Sequence, residues 1–81
     1  MSSVALYSVD LTDGDKTVYD TEGQEAASAE VARDEAVRLL TEVARAGIMD
    51  GEDHLIVGIV KNDTGEAVYR VTLALTCTRL Q

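Results

Sequence analysis

Residues 54–77 read HLIVGIVKNDTGEAVYRVTLALTC. Two apolar, β-branched runs, 54–61 and 67–77, flank Asn62-Asp63-Thr64-Gly65, which is the pattern of a β-hairpin closed by glycine. A three-residue loop, Asp63-Thr64-Gly65, with Gly65 in the left-handed position sets Asn62 opposite Glu66. Carried down both strands, that register pairs Leu55 with Leu73, Val57 with Val71 and Ile59 with Tyr69. These large apolar residues then share one face, which is expected to be the core. The other face carries His54, Ile56, Gly58 and Val60 beside Val68, Arg70, Thr72, Ala74 and Thr76. Ile56, Val60, Val68, Arg70, Thr72 and Ala74 make this mixed face the candidate interaction surface, since an antiparallel sheet needs only one covered face.

Upstream of the hairpin lies one helix, expected over residues 28–46. Ser28 suits its N-cap and Glu30 the positive end of its dipole. Ala29, Ala32, Ala36, Leu39, Leu40 and Val43 recur at helical spacing as a single apolar stripe, and Gly47 suits the C-cap. The polar side offers Asp34–Arg38 and Glu42–Arg45 as ion pairs. An acidic loop with Asp50, Glu52 and Asp53 follows.

Nearer the N-terminus, Ala5, Tyr7, Val9 and Leu11 alternate with Ser8 and Asp10, which predicts a strand over 4–11. A turn at Thr12-Asp13-Gly14-Asp15 leads to a short strand over 16–20. With strands over 54–61 and 66–78, the order is β-β-α-β-β. The expected fold is α+β, one domain over residues 1–81: a four-stranded, mainly antiparallel sheet with one helix on one face.

The bulk composition narrows the function. Fifteen acidic residues against seven basic ones give a net charge of −8, which opposes binding to nucleic acid or anionic membranes. No apolar run is long enough for a membrane span and no signal-peptide pattern opens the chain, so a cytoplasmic location is expected. One Cys and one His exclude an internal disulfide and a Cys/His zinc site. A chain of 81 residues has little core to bury, and association is the remaining route to extra stability.

Several residues carry functional chemistry on paper. Asp13, Asp15, Asp20 and Glu22 cluster around glycines and are candidate weak cation loops. An EF-hand is excluded, because counting back from Gly14 or Gly23 puts Val9 or Val18 at the first ligand position. Turn chemistry explains the same acids more simply. Arg33 is expected to pair with a carboxylate of the Asp20–Glu22 loop. Cys77 is expected to be a small buried hydrophobe on the face of Leu73 and Leu75, with His54 on the opposite face, so no Cys–His dyad forms. Tyr7 and Tyr69 read as core. No catalytic residue, cofactor or resident metal is expected.

The motifs together resemble a family of short bacterial domains of unknown function, common in soil and root-associated proteobacteria. The likeness rests on Asp13-Gly14-Asp15, Asp20-Thr21-Glu22-Gly23, Ala32-Arg33-Asp34-Glu35-Ala36 and Asn62-Asp63-Thr64-Gly65. It spans roughly residues 7–77. One departure is the absence of phenylalanine, with Val9 and Leu11 where the family often has Phe and another apolar residue. The resemblance implies a fold and a bacterial cytoplasmic setting, and no reaction. Two functional expectations follow. The first is a non-enzymatic interaction or accessory module with an unknown protein partner or a homodimer through its sheet. The second is a small-ligand or divalent-cation binder working through the acidic loops.

Overall fold

The computed structural model describes residues 4–47 and 52–81, so Asp50 of the expected acidic loop lies outside the described residues. The elements run β1 (Ala5–Asp13), β2 (Lys16–Val18), β3 (Gln24–Ala26), α1 (Ala29–Gly47), β4 (His54–Lys61) and β5 (Ala67–Leu75). All strand pairings are antiparallel. The sheet order is β2-β1-β4-β5, with β3 also paired to β1. The fold is therefore α+β, with five strands where four were expected.

The extra strand explains the loop before it. β2 pairs with the C-terminal end of β1 and β3 with its N-terminal end, so the two act as one edge strand interrupted at residues 19–23. Val9 faces that interruption. Its N–H donates to Asp20 Oδ2 at 3.2 Å, which replaces the missing ladder bond. Asp20 Oδ1 accepts from the N–H groups of Glu22 and Gly23 at 3.2 and 2.9 Å, folding the loop back on itself. Gly23 then sits at φ +75°, and a Cβ there would lie 2.8 Å from the Tyr7 carbonyl oxygen, so only glycine fits.

Helix α1 starts as its sequence implies. Ser28 Oγ accepts from the Val31 N–H at 3.2 Å, a side-chain N-cap. Ala32, Ala36 and Leu40 are buried against β4 and β5, and Ala29, Leu39 and Val43 are partly buried. The small residues at Ala32 and Ala36 let the helix come close to the sheet. On its polar side Arg38 pairs with Glu35 at 2.8 Å and Glu42 at 2.5 Å rather than with Asp34.

The β4–β5 hairpin corrects the sequence reading. Its turn is as expected: Gly65 lies at φ +84°, its N–H donates to the Asn62 carbonyl at 3.0 Å, and the Asn62 N–H donates to the Glu66 carbonyl at 2.9 Å. Asn62 Oδ1 adds bonds from the N–H groups of Thr64 and Glu66. Lys61 opposes Ala67, but Val60 opposes Tyr69. Val68 is thus an extra residue in β5, a bulge. Beyond it the register moves by one, to Ile59–Arg70, Val57–Thr72 and Ile56–Leu73. Because side chains alternate with period two, that single residue exchanges the faces of β4 relative to the partners expected on β5.

The core is consequently built from Ile56 and Val60, 1% and 0% exposed, with Gly58 between them. Val9, Tyr7, Tyr69 and Val71 pack around this layer. Leu55, Val57 and Ile59 point to the open face instead, and Leu55 is 54% exposed. Two members of the expected interaction surface, Ile56 and Val60, are core residues under the helix.

Candidate interaction surface

The sheet has two unlike edges. The β2/β3 edge is short, broken at residues 19–23 and charged, which discourages strand pairing. β5 is the opposite edge. It runs nine residues, AVYRVTLAL, without proline and with one charge, Arg70. Its bulge at Val68 lies near one end and leaves Tyr69–Leu75 regular. Among the described residues no strand pairs with its outer side. Arg70, Thr72 and Ala74 are exposed on the open sheet face of this strand, and Val68 is exposed at the bulge. Four of the six expected surface residues therefore gather on β5.

The helix side of that edge is also incompletely covered. The Arg33 guanidinium lies 5.4 Å from the centroid of the Tyr69 ring and is salt-bridged to Asp34 at 2.9 Å. The expected link from Arg33 to the Asp20–Glu22 loop is therefore not made, because Arg33 lies on the flank of α1 that faces β5. Further along that flank, Thr41, Ala44 and Arg45 line a hollow of about 280 Å³ with Leu73, Ala74 and Leu75. Val37 shares this flank by helical spacing and is 47% exposed.

A second concavity lies on the opposite flank of α1. Val9, Leu11, Val18 and Leu39 line a groove of about 420 Å³ that is walled by the loop from Tyr19 to Gln24 and by Glu35 and Arg38. Arg38 is neutralised there by Glu35 and Glu42.

The acidic candidates separate. Asp13 and Asp15 are exposed at the β1–β2 turn, and His54 Nδ1 is 3.9 Å from Asp13. Asp20 uses its carboxylate on backbone N–H groups, and Glu22 is exposed. Among the described residues no group of three or more His, Cys, Asp or Glu is placed to hold a metal ion. The acidic residue whose partners the sequence did not show is Asp10, which by sequence groups with Asp13 and Asp15 around Gly14. It is 8% exposed, receives Lys61 Nζ at 2.7 Å and accepts the Asp20 N–H at 3.0 Å. Its place opposite Ile59, between a basic strand end and the loop gap, was hidden until the register of β4 was known.

The Lys61 ammonium holds the Asp10 carboxyl below its usual value, and the Asp20 N–H adds to this, against the opposing effect of burial. A folded-state pKa below the unfolded one contributes stability above the unfolded value, lost as pH falls through the folded value. The contribution of Asp10 to stability should therefore be constant above about pH 5 and be lost progressively below about pH 4. Asp10→Asn should cost about 1–3 kcal/mol at neutral pH and flatten that acid limb, as urea melts across pH will read. An unchanged acid limb would remove Asp10 from the account.

Cys77 is exposed beyond the end of β5, where its N–H donates to Asp53 Oδ1 at 2.9 Å. The expected burial beside Leu73 and Leu75 does not occur. His54 lies opposite Leu75, on the face of Ile56.

A family model for a domain of unknown function, DUF6894, matches residues 6–74. The chain belongs to the DUF6894 family. That span runs from β1 to within one residue of the end of β5, so the whole sheet and helix belong to the family unit. No curated protein and no solved structure matches the chain. Among the described residues no helix is long and apolar enough to cross a membrane.

Proposed function

We propose that this DUF6894 chain is a non-enzymatic interaction module that takes its partner by strand addition along β5. The observation that carries this reading is the unpaired outer side of a nine-residue, proline-free edge strand. Such an edge offers a row of backbone N–H and C=O groups, and main-chain bonding to an added strand supplies affinity while alternate side chains supply selectivity. The contrast with the other edge supports it: there the loop at residues 19–23 interrupts the strand, while β5 carries one Arg and a bulge only at its start.

The alternative, a small-ligand or cation binder working through Asp13, Asp15, Asp20 and Glu22, has less support. Asp20 already accepts three backbone N–H groups, which is the work of a loop staple.

The test is an amide-resolved NMR titration of the chain with a strand-forming peptide of residues 67–75. Shifts should concentrate on Tyr69–Leu75 and on the Val37–Ala44 flank. Binding that perturbs only the groove around Leu39, or no binding of any extended peptide, would refute strand addition.

A further inference from the structure

We infer that the strand β5 receives is β5 of a second copy, in an antiparallel, two-fold dimer that joins the two sheets into one. This rests on the strand-addition reading and names its partner.

Spacing supports the fit. α1 packs on β4 and β5 alike. Strands in a sheet stand about 4.8 Å apart, so an axis midway between β4 and β5 lies about 5 Å from a two-fold axis passing beside β5. Two such helices would then run about 10 Å apart, at the upper end of the range for packed helices. Edge pairing thus brings the helices side by side, with the lesser contact of α1 to β1 setting them slightly further apart than this.

The flank that would meet itself is self-complementary. Read along α1 it runs Glu30, Arg33, Val37, Thr41, Ala44 and Arg45. A two-fold turns the second helix end for end. Val37 and Thr41 then meet at the centre, and Arg45 of the second copy comes level with Arg33, beside Asp34 and within one turn of Glu30. The antiparallel helix dipoles agree with that pairing. Arg33 brings its own counter-ion, Asp34.

The strands also select a register. Centring the two-fold on Thr72 places Arg70 opposite the second copy's Ala74, which keeps the two Arg70 side chains apart. The same register places Leu75 opposite the second copy's Tyr69, beside the hollow of about 280 Å³ lined by Thr41, Ala44, Leu73 and Leu75. Inner-face residues continue as one apolar layer across the joint.

Surface area leaves room for such a contact. The chain exposes 6026 Å², against about 4,700 Å² for a folded monomer of its mass. The surplus of about 1,300 Å², to which the exposed residues 76–81 contribute, exceeds the roughly 800 Å² that each partner buries in a standard interface.

The test is sedimentation equilibrium from low micromolar to millimolar protein, on wild type, Val37→Glu and Val57→Lys. Wild type should approach twice the monomer mass, and Val37→Glu should stay monomeric with an unchanged circular dichroism spectrum. Val57→Lys, on the open sheet face, should still dimerise. Hydrogen exchange of wild type gives a reading independent of any variant: amides of Tyr69–Leu75 should gain protection as concentration rises, while those of β2 and β3 should not. Wild type that stays monomeric throughout overturns the dimer. If the 67–75 peptide still binds that monomer along β5, strand addition survives with another partner; if it does not, both readings fall. A dimer broken by Val57→Lys and not by Val37→Glu is stacked through the open faces, which also overturns the inference.

Discussion

Ile56→Lys should unfold the chain. Ile56 is 1% exposed beneath α1, so the substitution forces an ammonium into the apolar layer, while its cross-strand neighbour Asp13 stands half-exposed at the rim. A buried charge of this kind costs more than about 4 kcal/mol, most of the stability of a small domain. Loss of the cooperative urea transition and of the native circular dichroism spectrum will read it. The adjacent Leu55→Lys is the matched control. Leu55 is 54% exposed on the open face, and its substitution should stay within about 0.5 kcal/mol of wild type. Had the hairpin closed without its bulge, Leu55 would be core and Ile56 surface, and the order of the two effects would reverse. A tolerated Ile56→Lys beside a disruptive Leu55→Lys would therefore restore the bulge-free register.

The second large effect is at the contact between Leu40 and Gly58. Gly58 lies in the middle of the most buried strand, where glycine weakens a sheet unless something needs its missing side chain. Here a Cβ would stand 2.8 Å from Leu40 Cδ1, with Leu11 and Val9 methyls at 3.6 Å. Leu40→Ala should destabilise by about 2–5 kcal/mol, since it removes a fully buried side chain and leaves a cavity facing Gly58. Gly58→Ala alone should cost about 1–3 kcal/mol by overpacking. Combined, the two should not add. The new methyl group enters the space that Leu40 vacates, so the double variant should be no less stable than Leu40→Ala alone. Chemical denaturation of the four proteins measures the coupling. Simple additivity would mean that α1 does not press on β4 at this point.

Much of the fold is legible in the sequence, for reasons that differ by element. The helix is read from a stripe at one spacing, and Ala32, Ala36 and Leu40 are buried as that stripe requires. The hairpin turn is read from local chemistry alone, because Asn62 and Gly65 complete their bonds within five residues. The faces of β4 are not legible in this way. Leu55, Ile56, Val57, Ile59 and Val60 are all apolar, so alternation gives no vote, and the pairing has to be carried from the turn. The Val68 bulge then inverts every side chain beyond it. β3 escapes sequence reading because Gln24-Glu25-Ala26 has no β-branched or aromatic residue, and it becomes a strand only through the exposed edge of β1. The staple at Asp20 is long-range, eleven residues from Val9, and local turn chemistry points to the residue without naming its partner.

The candidate surface follows the same pattern. Arg70, Thr72 and Ala74 are exposed as expected, while Ile56 and Val60 are exchanged for Leu55, Val57 and Ile59 on the open face. The edge position of β5 depends on sheet order, which requires β1 to pair with β4 and so lies beyond any local pattern. Everything proposed about the partner depends on that order and on the bulge.

Cross-strand proton contacts in β4–β5, measured by NOE spectroscopy on the folded chain, test that foundation most directly. Backbone contacts between Val57 and Thr72 and between Ile59 and Arg70 are predicted; contacts pairing Val57 with Val71 and Ile59 with Tyr69 in their place would contradict the bulge, the core and the surface together.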